Sequence, residues 1–229
     1  MAYRQIEAAE VSGLLSELLE RCSRSGISAD IYIVGGAALT MQLGRPRMTP
    51  DFDVLLNPKA EIIAVAEAMA DELGLNPDWV NSNAFAFLGG LDSEQDAEAM
   101  TLDFPDHRVR VASPRYLLAM KVAAMREKDV DDAAACIRHL GYRDADKVID
   151  EAIAIIGHDS IAWGAPHGAE LREWIRLDVE RVVRRAWSGR DLWGGAAVVS
   201  GPFRAKTTPA SNRGSFAPRQ NSKPDTGLS

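Results

Sequence analysis

Cysteine is scarce in this chain: Cys22 and Cys136 are the only two among 229 residues. Each falls among the apolar positions of a helical pattern, so both read as reduced core residues and not as a disulfide framework. Long apolar runs are missing too, and none approaches the ~20 residues a membrane span requires. The opening residues, Met1-Ala2-Tyr3-Arg4-Gln5-Ile6-Glu7, hold no apolar core and no small-residue cleavage site. No secretory signal is visible there, and the expected location is cytoplasmic. Positive charge is in deficit. A formal net charge of -7 argues against a nucleic-acid surface spread over the whole protein. The deficit is uneven: Arg204, Lys206, Arg213, Arg219 and Lys223 face only Asp225 beyond Gly201, a local +4 that leaves -11 for the rest. That stretch is either a solvated tail or a basic arm.

Several kinds of chemistry are excluded as well. His107, His139, His158 and His167 show no metal-ligand spacing, and nothing resembles a nucleophilic triad. Gly35-Gly36 has neither the third glycine of a dinucleotide fingerprint nor the Gly-Lys-Ser/Thr of a P-loop after it.

What is present reads as an α/β protein. Val11, Leu14, Leu15, Leu18, Leu19 and Cys22 recur at helical spacing and predict a first helix ending near Gly26. Ile31-Tyr32-Ile33-Val34 is a strand that stops at Gly35-Gly36, and Ala37 to Met41 is a short helix. Asp51 to Leu56 is a second strand closed by Asn57-Pro58, and Lys59 to Leu73 is a helix with Ile62, Ala66, Met69, Ala70 and Leu73 on one face. Trp79 to Val111 is strand-like, with room for three short strands. Ser113 and Pro114 supply the cap and first position of a further helix, and helical patterns continue to about residue 187. The expected plan is an α/β domain over 1–112, a helical region over 113–187 and a disordered tail over 188–229, rich in Gly, Ser, Pro and Asn.

The chemistry concentrates between Gly35 and Asp53. Asp51 and Asp53 are two apart on a strand, so both carboxylates leave the same face. Two carboxylates that share a dry site repel, and a divalent cation removes the conflict. Magnesium suits such a pair, being held by one or two carboxylates plus substrate phosphates. Gly35 and Gly36, at a helix N-terminus, let backbone amides approach a triphosphate closely. Arg47 either clamps a phosphate or pairs with a surface carboxylate; Thr49 either orients Asp51 or serves as a turn residue. Lys121 lies inside an apolar stripe of Leu117, Leu118, Ala124 and Met125, so it needs an anion, such as a triphosphate, or an exit to water. Asp129 and Asp132 begin the next helix, where capping and the helix dipole account for them.

Gly-Gly, a short helix, Arg47-x-Thr49-x-Asp51-x-Asp53, then Leu-Leu-Ala-Met-Lys121 followed by Arg126-x-x-Asp129 resembles the polymerase-β-type nucleotidyltransferase superfamily, and within it the bacterial AbiEii toxin-type proteins and related nucleotidyltransferase-like proteins. The resemblance covers roughly residues 30 to 142, with specific motifs at 34–54 and 117–132. It implies a small mixed sheet flanked by helices, Mg2+ as cofactor, and transfer of a nucleoside monophosphate from an NTP to a hydroxyl acceptor. In toxin members the acceptor is often RNA, particularly tRNA, and an antitoxin protein is a possible partner. It also implies a place beside the active site for Lys121, Asp129 and Asp132, and a third carboxylate on a later strand, for which Asp103 is the candidate. One departure stands out: most members carry Gly-Ser where this chain has Gly35-Gly36. Two alternatives stay open, a small-molecule adenylyltransferase and a nucleotidyltransferase fold that binds without catalysis.

Overall fold

The computed structural model describes residues 3–45, 51–82, 93–164 and 170–193. Arg47, Thr49 and the tail from 194 onward therefore lie outside the described residues. Among those described, a five-stranded mixed sheet is ordered β3-β2-β1-β5-β4. The strands are β1 (Asp30–Ile33), β2 (Phe52–Asn57), β3 (Val80–Asn81), β4 (Met100–Leu102) and β5 (Arg108–Val111). β1 runs antiparallel to β2 and parallel to β5; β3 is parallel to β2, and β4 is antiparallel to β5.

Register decides which side chains share a face. Ile33 sits opposite Val54 and Val111, and Ile31 opposite Val109. These residues, with Phe52, form one wholly buried apolar face. The alternation of a strand sends Asp53, Leu55, Tyr32, Arg110 and Asn81 to the other side. This face carries the polar chemistry.

Three helices accompany the sheet: α1 (Val11–Arg24), α2 (Gly35–Leu43) and α3 (Lys59–Leu73). α1 buries Val11, Leu14, Leu15, Leu18, Leu19 and Cys22, the stripe its sequence spacing predicts. α3 spans the residues expected, and Gly74 ends it in a left-handed conformation. Beyond the sheet, α4 (Pro114–Ala124), α5 (Val130–Leu140), α6 (Ala145–Ile156) and α7 (Leu171–Ala186) pack on one another, and α2 contacts both α4 and α5. Ser113 caps α4 by accepting from the Tyr116 amide, with Pro114 at the first turn. Cys22 and Cys136 are free and buried. No helix among the described residues is long and apolar enough to cross a membrane.

The sequence places the start of the tail at Ser188, but the chain stays packed to Trp193. Arg138 Nη2 donates to the Arg190 carbonyl (3.2 Å), Arg185 Nη2 donates to the Asp191 carbonyl (3.0 Å), and Leu192 is buried. Two adjacent apolar side chains, Leu192 and Trp193, amid Gly, Ser, Arg and Asp give no periodic signal to read, yet both pack against the core. Truncation after Gly189 removes Leu192 and both acceptors. We expect it to lower the melting temperature by several degrees, in line with ~2–4 °C per kcal/mol for a chain of this size; an unchanged transition would show that residues 190–193 contribute nothing.

Candidate metal and nucleotide site

The site begins with a packing choice on α3. Trp79 is fully buried, its indole donates to the Ala66 carbonyl (2.8 Å), and its ring meets Phe52 edge-on at 5.5 Å. The Phe52 amide donates to the Trp79 carbonyl. Removing such a ring typically costs about 3–5 kcal/mol, so the start of β3 is firmly held beside β2. That alignment sets Asn81 opposite Asp53, and the Asn81 amide donates to Asp51 Oδ2 at 3.2 Å and to the Asp78 carbonyl at 3.3 Å.

The turn from β1 into α2 closes the other side. The Val34 amide donates to the Asp53 carbonyl (2.9 Å), which brings Gly35 directly onto the Asp53 side chain. Gly35 has φ +64°, and a Cβ there would lie 2.5 Å from Asp53 Oδ2. Only glycine supplies both the backbone conformation and the room for that carboxylate. Gly36 continues into α2, where its carbonyl accepts from the Thr40 hydroxyl (3.1 Å).

Asp51 and Asp53 are each half-buried. Burial raises both carboxyl groups above their ordinary value; for Asp53 the neighbouring Asp51 charge adds to the effect, while for Asp51 the hydrogen bond from Asn81 opposes it. The charges of Lys121, Arg126 and Lys128 act on Asp53 in the opposite sense. Two half-buried carboxylates thus stand together with the cations of Lys121, Arg126 and Lys128 nearby.

Lys121 is placed differently from the phosphate-facing role expected of it. Its ammonium bonds Asp129 Oδ1 (2.5 Å) and Asp132 Oδ2 (3.3 Å). Arg45 Nε donates to Asp132 Oδ1 (2.8 Å), and Arg126 Nε to Asp129 Oδ2 (2.5 Å). Asp129 and Asp132 are buried at 3% and 2% exposure. Asp129 precedes α5 without a side-chain cap bond, and Asp132 stands in the first turn of the helix. Burial pushes the Asp129 carboxyl up, but Lys121 and Arg126 outweigh it and hold the group below its ordinary range. The lysine thus neutralises two buried aspartates and also stands near Asp53.

Asp103 does not join the pair. It lies exposed just past β4, whose Leu102 aligns with Val109 and, through it, Ile31, whereas Asp53 lies beyond the level of Ile33. Strand rise and spacing put Asp103 at the opposite end of the sheet, about 20 Å away. The residue that sequence reasoning missed is Asn81. Asn is depleted from strands, so a buried one directly after Trp79-Val80 was the available signal. Among the described residues no group of three His, Cys, Asp or Glu side chains gathers as a metal site. The donor set is two carboxylates, which suits a magnesium ion completed by substrate phosphates and water.

A pH dependence follows for the metal-free protein. Groups raised in the folded state contribute stability that is fully present below the unfolded value and lost as pH rises through the folded value. Asp51 and Asp53 therefore cost stability as pH climbs from the ordinary 3.8 through their raised values. Asp129 works oppositely: its stabilisation is present above 3.8 and lost as pH falls through its depressed value. Thermal unfolding against pH, without divalent cations, should show Asp53→Asn losing less stability than wild type on the rising limb and equally much on the acid limb. Parallel curves on the rising limb would contradict the burial of the pair.

A scan against models of known protein families matched none, and searches of curated proteins and of solved structures found no match. The functional reading rests on the residues themselves.

Proposed function

We propose that the chain is a magnesium-dependent nucleotidyltransferase, with the nucleotidyltransferase fold that its motifs resemble. The observation that carries this reading is the seating of Gly35 against the carboxylate of Asp53, beside Asp51 and within reach of Lys121, Arg126 and Lys128. Asp51 and Asp53 would hold the ion, which when bound supplies positive charge to the triphosphate and the leaving pyrophosphate. The amides at the start of α2 approach the phosphates. The acceptor hydroxyl attacks the α-phosphorus, the new O–P bond forms as the α–β anhydride bond breaks, pyrophosphate leaves, and the hydroxyl proton passes to a carboxylate of the pair. An RNA acceptor, tRNA in particular, and an antitoxin partner belong to the same reading. Small-molecule adenylylation is the alternative acceptor chemistry.

A second reading, a nucleotide-binding module without catalysis, draws on one observation: the strand position facing Asp53 is Asn81 and not an acid. Incubation with each labelled NTP, magnesium and total RNA or a small-molecule extract separates these readings. Label in a small RNA band supports the RNA acceptor, and label in small metabolites supports the adenylyltransferase. NTP binding without any transfer supports the module, and absence of binding removes the nucleotide reading altogether.

The cation that meets phosphate is Lys128 in this reading. It is exposed, its charge acts on both Asp51 and Asp53, and among the described residues it forms no hydrogen bond or ion pair. Lys128→Met should weaken magnesium-NTP affinity several-fold while shifting stability by no more than about 0.5 kcal/mol, as for other surface changes. Calorimetric titration checks this, and unchanged affinity would remove Lys128 from the site.

A further inference from the structure

We propose that the outer face of α7 is a docking surface for a second copy of this chain, the two helices packing antiparallel about a two-fold axis beside Leu177. α7 packs on α5 and α6 and seats Leu171, Ile175, Val179, Val182 and Ala186 in the core. Helical periodicity gathers Glu170, Glu173, Trp174, Leu177, Arg181 and Arg184 on the opposite face. The centre of that face is apolar and bare. Leu177 is 74% exposed, more than any other large apolar side chain among the described residues, and Trp174 is 53% exposed. A lone apolar residue on a surface is ordinary, but a tryptophan and a leucine one turn apart, rimmed by charge, have the anatomy of an interface centre.

The charges say what covers it. The acids of the stripe, Glu170 and Glu173, lie toward its N-terminal end, and the bases, Arg181 and Arg184, toward its C-terminal end. An antiparallel copy centred on Leu177 brings Glu173 of one chain opposite Arg181 of the other and Glu170 opposite Arg184, each pair occurring twice. It also lays Trp174 beside Arg181 of the other chain, where guanidinium and indole attract. A parallel copy would set Glu against Glu and Arg against Arg, so the pattern selects one orientation. Two acids and two bases cancel along the stripe, which keeps the net charge of -7 on each chain away from the contact. Within the chain, Arg181 meets Glu127 (2.9 Å) and Asp178 (3.9 Å), Arg184 meets Glu180 (3.7 Å), and Glu173 meets Arg176 (3.4 Å). Surface pairs of this kind are worth little and exchange readily for pairs across an interface.

One helix of 16 residues from each copy makes a small interface, so the dimer is weak and depends on concentration. Sedimentation velocity of the full chain from ~1 µM to ~1 mM, the range in which weak contacts dissociate, should show a monomer passing into a dimer. Leu177→Arg should remain monomeric throughout, because it sets two like charges together at the axis. Glu173→Arg and Arg181→Glu should each abolish the dimer, and the two changes in one chain should restore it. These positions lie on the outer face, so monomer melting temperatures should move by no more than ~2 °C. Should Arg181→Glu fail to fold beside Glu127, Leu177→Arg and Glu173→Arg decide alone. A wild type still monomeric at the highest concentration, or a dimer that persists in Leu177→Arg, would overturn the proposal. A dimer indifferent to both single charge changes, or one that the double change fails to restore, would overturn the antiparallel arrangement.

Discussion

Lys121→Met should destabilise the protein by about 3 kcal/mol or more, because removing one partner of a buried ion pair leaves uncompensated charge. The two carboxylates it neutralises, Asp129 and Asp132, are nearly inaccessible, and Lys121 itself is 11% exposed at the side chain. Arg126 and Arg45 remain as partners and keep the loss toward the lower end. For a chain of this size, 3 kcal/mol corresponds to a fall of ~6–12 °C in melting temperature. Methionine preserves the length and apolar contacts of the stem, so the fall reports the charge. Addition of Asp129→Asn and Asp132→Asn to the Lys121→Met chain should recover part of the loss, since it removes the buried carboxylates left short of a cation, while Arg45 and Arg126 in turn lose their counterions. Thermal unfolding of the single and combined variants measures this. A melting point unmoved in Lys121→Met would show that the ammonium is not the counterion of these aspartates.

The second large effect concerns the acidic pair. Asp51→Asn or Asp53→Asn should each lower nucleotidyl transfer roughly a hundredfold or more, which corresponds to at least ~2.7 kcal/mol of transition-state stabilisation. The same substitutions should leave metal-free stability unchanged or slightly higher. Both wild-type carboxyls are raised by burial, and the Asp51 charge disfavours ionisation of Asp53. Neutralising either relieves that repulsion. A large loss of activity without loss of stability marks residues kept for function; coincident losses would mark structural aspartates.

Local patterning was the legible part of this chain. The apolar stripe of α1, the length of α3 and the Ser113-Pro114 start of α4 all follow from spacing and cap chemistry. Each of these depends on residues close together in the chain. What was not legible depends on pairing across the chain. Asp103 looked suitable as a third acid because it follows a strand, but only the register of β4 against β5 reveals which end of the sheet it occupies. Lys121 was read correctly as a lysine in need of an anion, yet two long-range partners were on offer, a phosphate and the aspartates of the next turn and helix. The nearer ones hold it. Asp132 does stand in the first turn of α5 and Asp129 at its cap position, so local rules place both aspartates, but they say nothing of the ion pairs with Lys121, Arg45 and Arg126 that the two carboxylates also make. Asn81 drew no notice because a short strand beside β2 is specified chiefly by the burial of Trp79 against α3 and Phe52. Leu192 was lost in a polar, glycine-rich stretch for want of periodic neighbours.

The central claim is that Asp51 and Asp53 exist to hold a divalent cation with a nucleotide. Its most direct test is thermal unfolding of wild type, Asp51→Asn and Asp53→Asn, each with and without magnesium and a non-hydrolysable NTP analogue. A ligand that binds only the folded state at a hundredfold excess over its dissociation constant adds about 2.7 kcal/mol, or ~5–11 °C for a chain of this size. We expect that rise in wild type and little or none in either variant, with both variants melting at or slightly above wild type in the metal-free state. A wild type indifferent to magnesium and nucleotide, with both variants less stable than wild type in their absence, would contradict the account.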